Sequence, residues 1–292
     1  MEGGYHGSHD AAEVSLWSQW GPPEAPHSVA DTQGIFEGVV EDVVVAPFNN
    51  LEATENIIGR HADELAAVIV EPVMGAAGMI PPVAGYLELL REATKSRGVL
   101  LIFDEVITLR LAWGGAQESH HIAPDLTTLG KVIGGGFPVG AFGGRDELMS
   151  PYDPRTGKFF HSGTFNGNPV TMVAGLATLD LLTRQEITRI NSLGERLRLG
   201  LRSVLADAGV MGQVTGVGSL LQIHFSETEV ADYRAGKRAA LEPLQLLHLM
   251  LLNRGVSIAP RGLMCISTPM DEKDIDHTVS AFREALGELA AA

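Results

Sequence analysis

The amino-acid sequence predicts an α/β protein, with a mostly parallel β-sheet sandwiched by helices and a smaller C-terminal α+β domain. Short apolar runs without polar alternation lie at 43–47, 66–70 and 99–103, as expected for strands covered on both faces. A helix-like segment separates the second run from the third, which gives the β-α-β order of a parallel sheet. The length of 292 residues exceeds the size at which a single core stops growing, and it favours a second, smaller domain.

The remaining elements of the large domain follow in chain order. The segment 85–97 is predicted to be the intervening helix, with Gly98 at its C-terminal end. Further apolar segments predict two strands and a largely buried helix, at 126–133, 139–143 and 168–183. Residues 1–184 are therefore assigned to one large domain.

The hydrophobic pattern changes after this point. From residue 185 to near Gly209, apolar residues recur at helical spacing and predict a long amphipathic helix that connects to a second lobe. This lobe is expected to contain a strand near 217–225, a helix over 243–253, short strands at 256–259 and 263–268, and a last helix over 271–289. Residues 185–292 are thus assigned to the connector helix and a small C-terminal domain.

The composition is globular and acidic. Asp and Glu number 36 against 21 Lys and Arg, which gives a formal net charge of -15, and 45% of the residues are hydrophobic. Such a charge repels phosphate backbones and anionic membrane surfaces unless the sequence has a local basic patch, and we find none. We therefore expect small-molecule substrates, and neither a nucleic-acid nor a membrane partner.

The number of cysteines and the first residues of the chain give information on the cellular location of the protein. Cys265 is the only cysteine, so the chain can form neither an intrachain disulfide nor a Cys-x-x-Cys metal site. The first residues have neither the basic nor the apolar part of a secretory signal. These features favour a cytoplasmic location, and no metal site is expected.

Acidic residues follow two of the predicted strands. Asp104 comes directly after the run 99–103, and Glu71 directly after 66–70. In an open parallel sheet, functional residues gather beyond the carboxyl ends of the strands, where these two acids are expected to lie. The alternative for each is an acid that caps the next helix.

A lysine lies near the end of a third predicted strand. Lys131 lies within the apolar segment LTTLGKVIGGG, and we expect its amine to be partly withdrawn from water. Such an amine is a nucleophile towards carbonyl groups, which is the property of a Schiff-base lysine. Alternatively, the side chain snorkels to the surface from the strand end. The three glycines after it, Gly134 to Gly136, allow close approach of a cofactor or form a plain turn.

An acid after one strand and a lysine after the next match the needs of pyridoxal 5'-phosphate (PLP). This cofactor requires a lysine for covalent attachment and a carboxylate that keeps its pyridine nitrogen protonated, so that the ring accepts electrons. Asp104 and Lys131 are the candidates for these two roles.

Three longer motifs carry a family resemblance. IFDEVITLRLAWGGAQ, PDLTTLGKVIGGGFPVGAFGGR and HSGTFNGNP closely resemble class III PLP-dependent aminotransferases, in the glutamate-1-semialdehyde 2,1-aminomutase-like branch. The resemblance implies the PLP fold type I and a ping-pong transfer of an amino group between an amine or amino acid and a carbonyl acceptor. Two alternatives stay open: an isomerase of the aminomutase type, and a non-catalytic remnant of the fold.

The resemblance also implies roles around the cofactor ring. Lys131 matches the Schiff-base lysine and Asp104 the partner of the pyridine nitrogen. Val106, in the same Asp-Glu-Val motif, would pack against one face of the ring. Tyr5 would stack on the opposite face, with His6 beside it in the Tyr-His-Gly motif.

The resemblance also implies roles for further residues in binding the cofactor phosphate and the substrate. Thr164 matches a threonine that reaches across a dimer interface to the cofactor phosphate of the other subunit, which implies a homodimer; the alternative is a turn before the following helix. Glu71 is counted among the cofactor-binding residues because of its strand-end position. Arg261, in SIAPRGLMCIST, resembles an arginine that holds a substrate carboxylate, and its alternative is a solvated arginine in a turn.

The sequence starts close to the Tyr-His-Gly motif, which in relatives follows a long segment with a phosphate-binding loop. From this difference we expect weaker retention of the cofactor and a weakened homodimer. The chain would then be either a working minimal form or a remnant that binds the cofactor weakly.

Overall fold

The computed structural model describes residues 1–291. The helices in this part of the chain are α1 (Glu37–Glu41), α2 (Leu51–Arg60), α3 (Tyr86–Lys95), α4 (Gly115–His120), α5 (Asp146–Met149), α6 (Pro169–Leu181), α7 (Arg184–Asp207), α8 (Tyr233–Arg238), α9 (Glu242–Leu252) and α10 (Glu272–Ala291). The strands are β1 (Ala67–Val70), β2 (Leu100–Asp104), β3 (Leu126–Gly130), β4 (Gly140–Gly144), β5 (Gln213–Val217), β6 (Leu220–His224) and β7 (Leu263–Cys265). None of these helices has the length and apolar character needed to cross a membrane.

The chain divides into two compact units. The first unit consists of Met1–Ala53, Val73–Val83 and the chain from Thr188 onward, and the second consists of Thr54–Pro72 and Ala84–Ile187. Strands β1 to β4 belong to the second unit, and β5 to β7 belong to the first.

The sheet of the second unit is mostly parallel, which confirms the predicted fold class. Its strand order is β1-β2-β3-β4; the first three strands run parallel, and β4 pairs with β3 in the antiparallel direction. Val70, Leu101 and Phe103 are fully buried, while Ile69 and Ile102 are partly exposed, so one face of these strands is more buried than the other and the expectation of equal cover on both faces is wrong. Helix α3 packs on β2 and buries Leu87 and Leu90, so the predicted β-α-β unit is present.

A buried carboxylate organises the amino end of this sheet. Asp125 accepts a hydrogen bond of 2.8 Å from the backbone N–H of Leu101 and pairs with Arg91 at 2.9 Å and Arg145 at 2.7 Å. Burial opposes the ionisation of Asp125, but the hydrogen bonds from these three groups outweigh it and lower its pKa. Asp125 therefore stays ionised and ties the start of β3 to β2 and to the residue after β4.

The first unit contains a small antiparallel sheet in the order β5-β6-β7. Leu221 and Ile223 of β6 are fully buried. Helices α7 and α10 contribute the buried side chains Ile190, Leu201 and Phe282 to the same core. This arrangement is the α+β character predicted for the C-terminal part of the chain.

The N-terminal residues belong to this first unit, whereas the sequence analysis assigned all of residues 1–184 to the large domain. The Glu2 carboxylate is 3% exposed and pairs with the Arg234 guanidinium at 2.8 Å. The side-chain amide of Asn49 donates to the Ala231 carbonyl at 2.8 Å. These polar contacts join residues that lie far apart in the sequence, so hydrophobic periodicity could not reveal the grouping.

Two of the predicted strands are absent. The strand expected near 217–225 is present as β6, which pairs with β5 in a hairpin, whereas the segments 43–47 and 256–259 have no regular secondary structure. A strand requires a continuous ladder with a neighbour. The carbonyls of Val43 and Ala46 instead accept isolated hydrogen bonds, from the hydroxyl of Ser28 and the backbone N–H of Glu2.

Helix α6 is present as predicted, but it is not largely buried. Its buried residues are Thr171 and Gly175, while Val173 and Leu176 are 68% and 62% exposed. The helix packs on the turn after β3 with the side that contains Gly175, where a Cβ atom would lie 2.2 Å from the Ile133 carbonyl oxygen. Its larger apolar side chains lie on other sides and are exposed. The helix is apolar on all sides, so its sequence did not distinguish the packed side from the exposed one.

A buried histidine of the first unit predicts a pH dependence of folding stability. His224 is 3% exposed, and its Nε2 donates to the Gly78 carbonyl at 3.0 Å. Burial lowers the pKa of His224, because the charged ring loses its hydration. The folded state then binds fewer protons than the unfolded state, so the free energy of unfolding should fall as the pH drops below about 6.5. Urea unfolding at a series of pH values measures this.

The control for this experiment is a pair of glutamine variants. His224→Gln should flatten the pH dependence below neutrality, whereas His9→Gln should leave it unchanged, because His9 is exposed. Equal pH dependence in the wild type and in His224→Gln would contradict the assignment.

Candidate active site

Three polar residues lie at the carboxyl edge of the parallel strands of the second unit. Glu71 follows β1, Asp104 is the last residue of β2, and Lys131 follows β3. The register pairs Val70 with Phe103 and Asp104 with Thr128, so the three strands end side by side. The edge predicted from the sequence is therefore formed, with Asp104 on the middle strand.

Asp104 is held in place by the residues after it. Its side chain is buried, with 6% exposure, and its Oδ1 accepts a hydrogen bond of 3.1 Å from the backbone N–H of Val106. Val106 lies against the end of β3, because a Cβ atom on Gly130 would be 3.3 Å from its Cγ1. The Asp-Glu-Val motif thus places Asp104 opposite Thr128 of β3 and the Val106 side chain beside Gly130, the residue that precedes Lys131.

Lys131 is exposed, so the expectation that it is partly withdrawn from water is wrong. Strand β3 ends at Gly130, and Lys131 begins a 3-10 turn with a φ angle of 48°. This left-handed conformation is uncommon for a residue with a Cβ atom and costs about 1 kcal/mol. Lys131 therefore lies outside the strand, whereas the apolar residues around it predict a buried strand.

Close packing of glycines keeps this turn in its conformation. Gly135 has a φ angle of 58°, and a Cβ atom there would lie 2.3 Å from the carbonyl oxygen of Ala174 in α6. A Cβ atom on Gly134 would lie 2.7 Å from Cγ1 of Val139. Side chains at these positions would displace α6 or the Val139 side chain, so the glycines after Lys131 fix the position of the turn that carries the lysine.

Two other predicted site residues of the second unit, Glu71 and Thr164, differ in solvent exposure. Glu71 is 4% exposed and lies beside the end of β2. Thr164 is exposed in the turn before α6, whose first turn is capped by Asn168: its Oδ1 accepts from the N–H groups of Val170 at 3.0 Å and Thr171 at 3.3 Å. The roles of Glu71 and Thr164 towards a cofactor stay predictions.

Three predicted residues belong to the first unit. Tyr5 is 38% exposed, and His6 is half-buried beside it. Arg261 is exposed in the turn that precedes β7. Their roles also stay predictions.

One residue of this edge was missed by the sequence analysis. Glu105 has no exposed surface although it carries a carboxylate. The signal was the pair of acids at the strand end: neighbouring residues of an extended chain point to opposite sides, so Asp104 and Glu105 could not share one role.

Comparisons with known proteins show the family to which the chain belongs. Residues 1–286 match the aminotransferase class-III family, and the chain belongs to that family. Class III aminotransferases are PLP-dependent transaminases of fold type I.

Individual relatives carry two kinds of names. The chain is 42% identical to glutamate-1-semialdehyde 2,1-aminomutase of Methanosphaera stadtmanae, over 99% of this chain and 67% of that protein. The structure resembles an omega-transaminase from Sphaerobacter thermophilus, with a TM-score of 0.93, 46% identity, and coverage of 99% of this chain and 67% of that one. It also resembles a β-phenylalanine aminotransferase from Variovorax paradoxus, with a TM-score of 0.88, 40% identity, and coverage of 99% and 64%. The chain spans about two thirds of the length of such relatives.

The residues at the strand ends fit the family cofactor. The buried Asp104 offers a carboxylate to a protonated ring nitrogen, and the exposed Lys131 offers an accessible amine. Val106 supplies an apolar side chain beside Gly130, the residue before Lys131. An anion, an amine and an apolar side chain at one sheet edge are the groups that a charged aromatic aldehyde requires.

Proposed function

We propose that this protein transfers an amino group between an amine or amino acid and a carbonyl acceptor, by a ping-pong mechanism with PLP. The observation that supports this most strongly is the pair of neighbouring strand ends with Asp104 on β2 and Lys131 after β3. The similarity to solved transaminases over nearly the whole chain adds to it.

Each residue has a task in this proposal. When bound, PLP supplies an aldehyde that captures amines and a ring that accepts electrons. The Nζ atom of Lys131 holds the cofactor between turnovers and, once released, moves a proton to and from the substrate carbon. The carboxylate of Asp104 keeps a proton on the ring nitrogen. Val106 and Tyr5 would hold the two faces of the ring.

The remaining predicted residues complete the cofactor site. We assign His6 and Glu71 to its surroundings and Thr164 to the phosphate group. A cytoplasmic location also stays a prediction, based on the use of a single cysteine.

An aminomutase activity is the second candidate, because several relatives carry that name. The tasks of Asp104 and Lys131 are the same in both reactions. The difference is whether the first carbonyl product leaves before the amino group is returned. A transferase needs an amine donor and a separate acceptor, whereas a mutase converts glutamate 1-semialdehyde as the sole substrate.

The covalent role of Lys131 can be tested directly. PLP added to the purified chain should give a visible absorbance band that borohydride abolishes, and peptide mass spectrometry should place the added mass on Lys131. Lys131→Ala should lose both the adduct and turnover, since the chemistry requires a covalent amine. Asp104→Asn should keep the adduct but lower turnover by about 100-fold or more.

Lys158→Ala is the matched control, because Lys158 is another exposed lysine of the second unit. It should keep both the adduct and turnover. An adduct on a different lysine would overturn the assignment, and the absence of any adduct would identify a non-catalytic remnant. Turnover of glutamate 1-semialdehyde alone, without transfer to added acceptors, would favour the mutase.

Substrate carboxylate binding is proposed for Arg261. A guanidinium donates two parallel hydrogen bonds to a carboxylate, so Arg261→Ala should raise the KM of an amino-acid donor such as β-phenylalanine by about 10-fold or more. A simple amine such as 1-phenylethylamine has no carboxylate and should keep its KM. Steady-state kinetics with both donors measure the difference.

Arg238→Ala provides the control for this prediction, since Arg238 is an exposed arginine of the same unit. It should affect neither donor. Equal effects of Arg261→Ala on both donors, or no effect on either, would remove Arg261 from the substrate site.

A homodimer is also part of the proposal. Large apolar side chains are exposed on and before α6: Phe160, Phe165, Val170, Val173, Leu176 and Leu181. Two of them, Phe165 and Leu176, line an open cavity of about 1150 Å³ together with Leu129 and Phe142. Monomeric proteins rarely expose large apolar patches, so a second copy covering these side chains would explain their exposure.

The mass of the chain in solution tests this interface. The wild type should have the mass of a dimer by light scattering, and Val173→Asp with Leu176→Asp should shift it to the monomer, since charges would be buried there. Leu199→Asp is the control, because Leu199 is 55% exposed on α7. A monomeric wild type, or a double variant that remains dimeric, would contradict the proposal.

A further inference from the structure

A buried carboxylate next to the candidate site has no role in the function proposed above. Glu105 directly follows Asp104 and has no exposed surface. An isolated buried carboxylate is costly, so its charge must be compensated by the groups around it.

Four hydrogen-bond donors converge on this carboxylate. Its Oε2 accepts from the hydroxyl of Thr108 at 2.6 Å and from the backbone N–H of Ala116 at 2.8 Å. Its Oε1 accepts from the backbone N–H of Gln117 at 2.8 Å and from the side-chain amide of Gln117 at 3.3 Å. The carboxylate therefore joins both ends of the segment 108–117 to the end of β2.

The approach of this segment depends on a glycine. Gly115 has a φ angle of 78°, and a Cβ atom there would lie 2.6 Å from Oε1 of Glu105. A side chain at this position would push the first turn of α4 away from the carboxylate. The sequence Gly-Gly-Ala-Gln after Trp113 thus supplies the glycine and the N–H donors that surround the glutamate of the Asp-Glu-Val motif.

The backbone of Glu105 is fixed as firmly as its side chain. Its N–H donates to the Thr128 carbonyl at 3.0 Å, and its carbonyl accepts from Leu109 N–H at 3.0 Å. On the other side of the chain, Val106 N–H donates to the Asp104 carboxylate at 3.1 Å. A rotation of the chain at Glu105 would therefore displace Asp104 and Val106 together.

We propose that Glu105 is a positioning residue: its carboxylate holds the segment 106–117 against the end of β2 and thereby sets the direction of Asp104 and Val106 towards the cofactor ring. The anchoring follows from the contacts of Glu105, and its effect on the cofactor rests on the proposed function. A glutamine cannot replace it, because its NH2 group would face one of the converging donors.

The chain contains a matched control for this substitution. Glu118 lies on α4, directly after the same segment, accepts from the Gly114 N–H at 2.5 Å and pairs with Arg184 at 2.8 Å. Its side chain is 38% exposed, so water can compensate for lost contacts. Glu105→Gln and Glu118→Gln are therefore the same chemical change at a fully buried and at a partly exposed carboxylate.

The first measurement is backbone hydrogen exchange in the cofactor-free protein. Glu105→Gln should speed exchange of the amides of Ala116 and Gln117 by about 10-fold or more, since bonds to a charged acceptor are lost. Glu118→Gln should leave these amides close to the wild-type rate. Unchanged exchange in Glu105→Gln would overturn the anchoring.

The second measurement concerns the cofactor. Glu105→Gln should raise the Kd for PLP by about 10-fold and shift the pH dependence of the absorbance of the bound cofactor, because Asp104 changes direction relative to the ring nitrogen. Glu118→Gln should do neither. Faster exchange in Glu105→Gln with a wild-type Kd and spectrum would limit Glu105 to a structural role and overturn the positioning.

A second pair of variants covers the case in which Glu105→Gln does not fold. Thr108→Val removes one donor to the carboxylate while keeping the side-chain shape, and Thr108→Ser keeps the hydroxyl. The valine variant should show the same changes in exchange and Kd to a smaller extent, and the serine variant should restore them. Equal behaviour of the two variants would contradict the proposal.

The outcomes for the two proposals remain distinguishable. A wild-type chain that binds no PLP would contradict the proposed function. The exchange rates of the cofactor-free protein would still decide whether Glu105 anchors the segment.

Discussion

The parallel register of β1, β2 and β3 is the constraint on which the candidate site depends. Parallel strands in register end at the same edge, so the residues after them are brought together whatever their separation in the sequence. Val70 pairs with Phe103, and Asp104 pairs with Thr128, which places Asp104 beside the strand that leads to Lys131. The register itself is maintained by fully buried apolar side chains, because a slip by one residue would turn them to the opposite face.

The strand register places the candidate residues at one edge, and two local structures then hold the backbone around Lys131 and Asp104. At the end of β3, glycine contacts with α6 hold the turn in which Lys131 adopts a left-handed conformation. At the end of β2, the buried carboxylate of Glu105 gathers the donors of Thr108, Ala116 and Gln117. Both sets of contacts hold the backbone next to a candidate functional residue. They can therefore position its side chain without contacting its reactive atoms.

The relatives share one class of reaction but differ in the substrates they are named for. The relatives include both an aminomutase and a transaminase, and in our proposal Asp104 and Lys131 have the same tasks in the two reactions. The distinction between the two reactions depends on how firmly a substrate is held. A residue such as Arg261, outside the parallel sheet, would contribute to that property.

The sequence by itself determined the fold class, the parallel strands and the strand-end residues Glu71, Asp104 and Lys131. Apolar runs and their order report burial and connectivity, and the motif around Asp104 and Lys131 is specific to its family. The tertiary structure alone decided the exposure of Lys131 and of α6, the absence of a strand at 43–47 and the grouping of Glu2 with Arg234. These features depend on which surfaces meet and which hydrogen bonds form between residues far apart in the chain, and hydrophobic patterning contains no information on either.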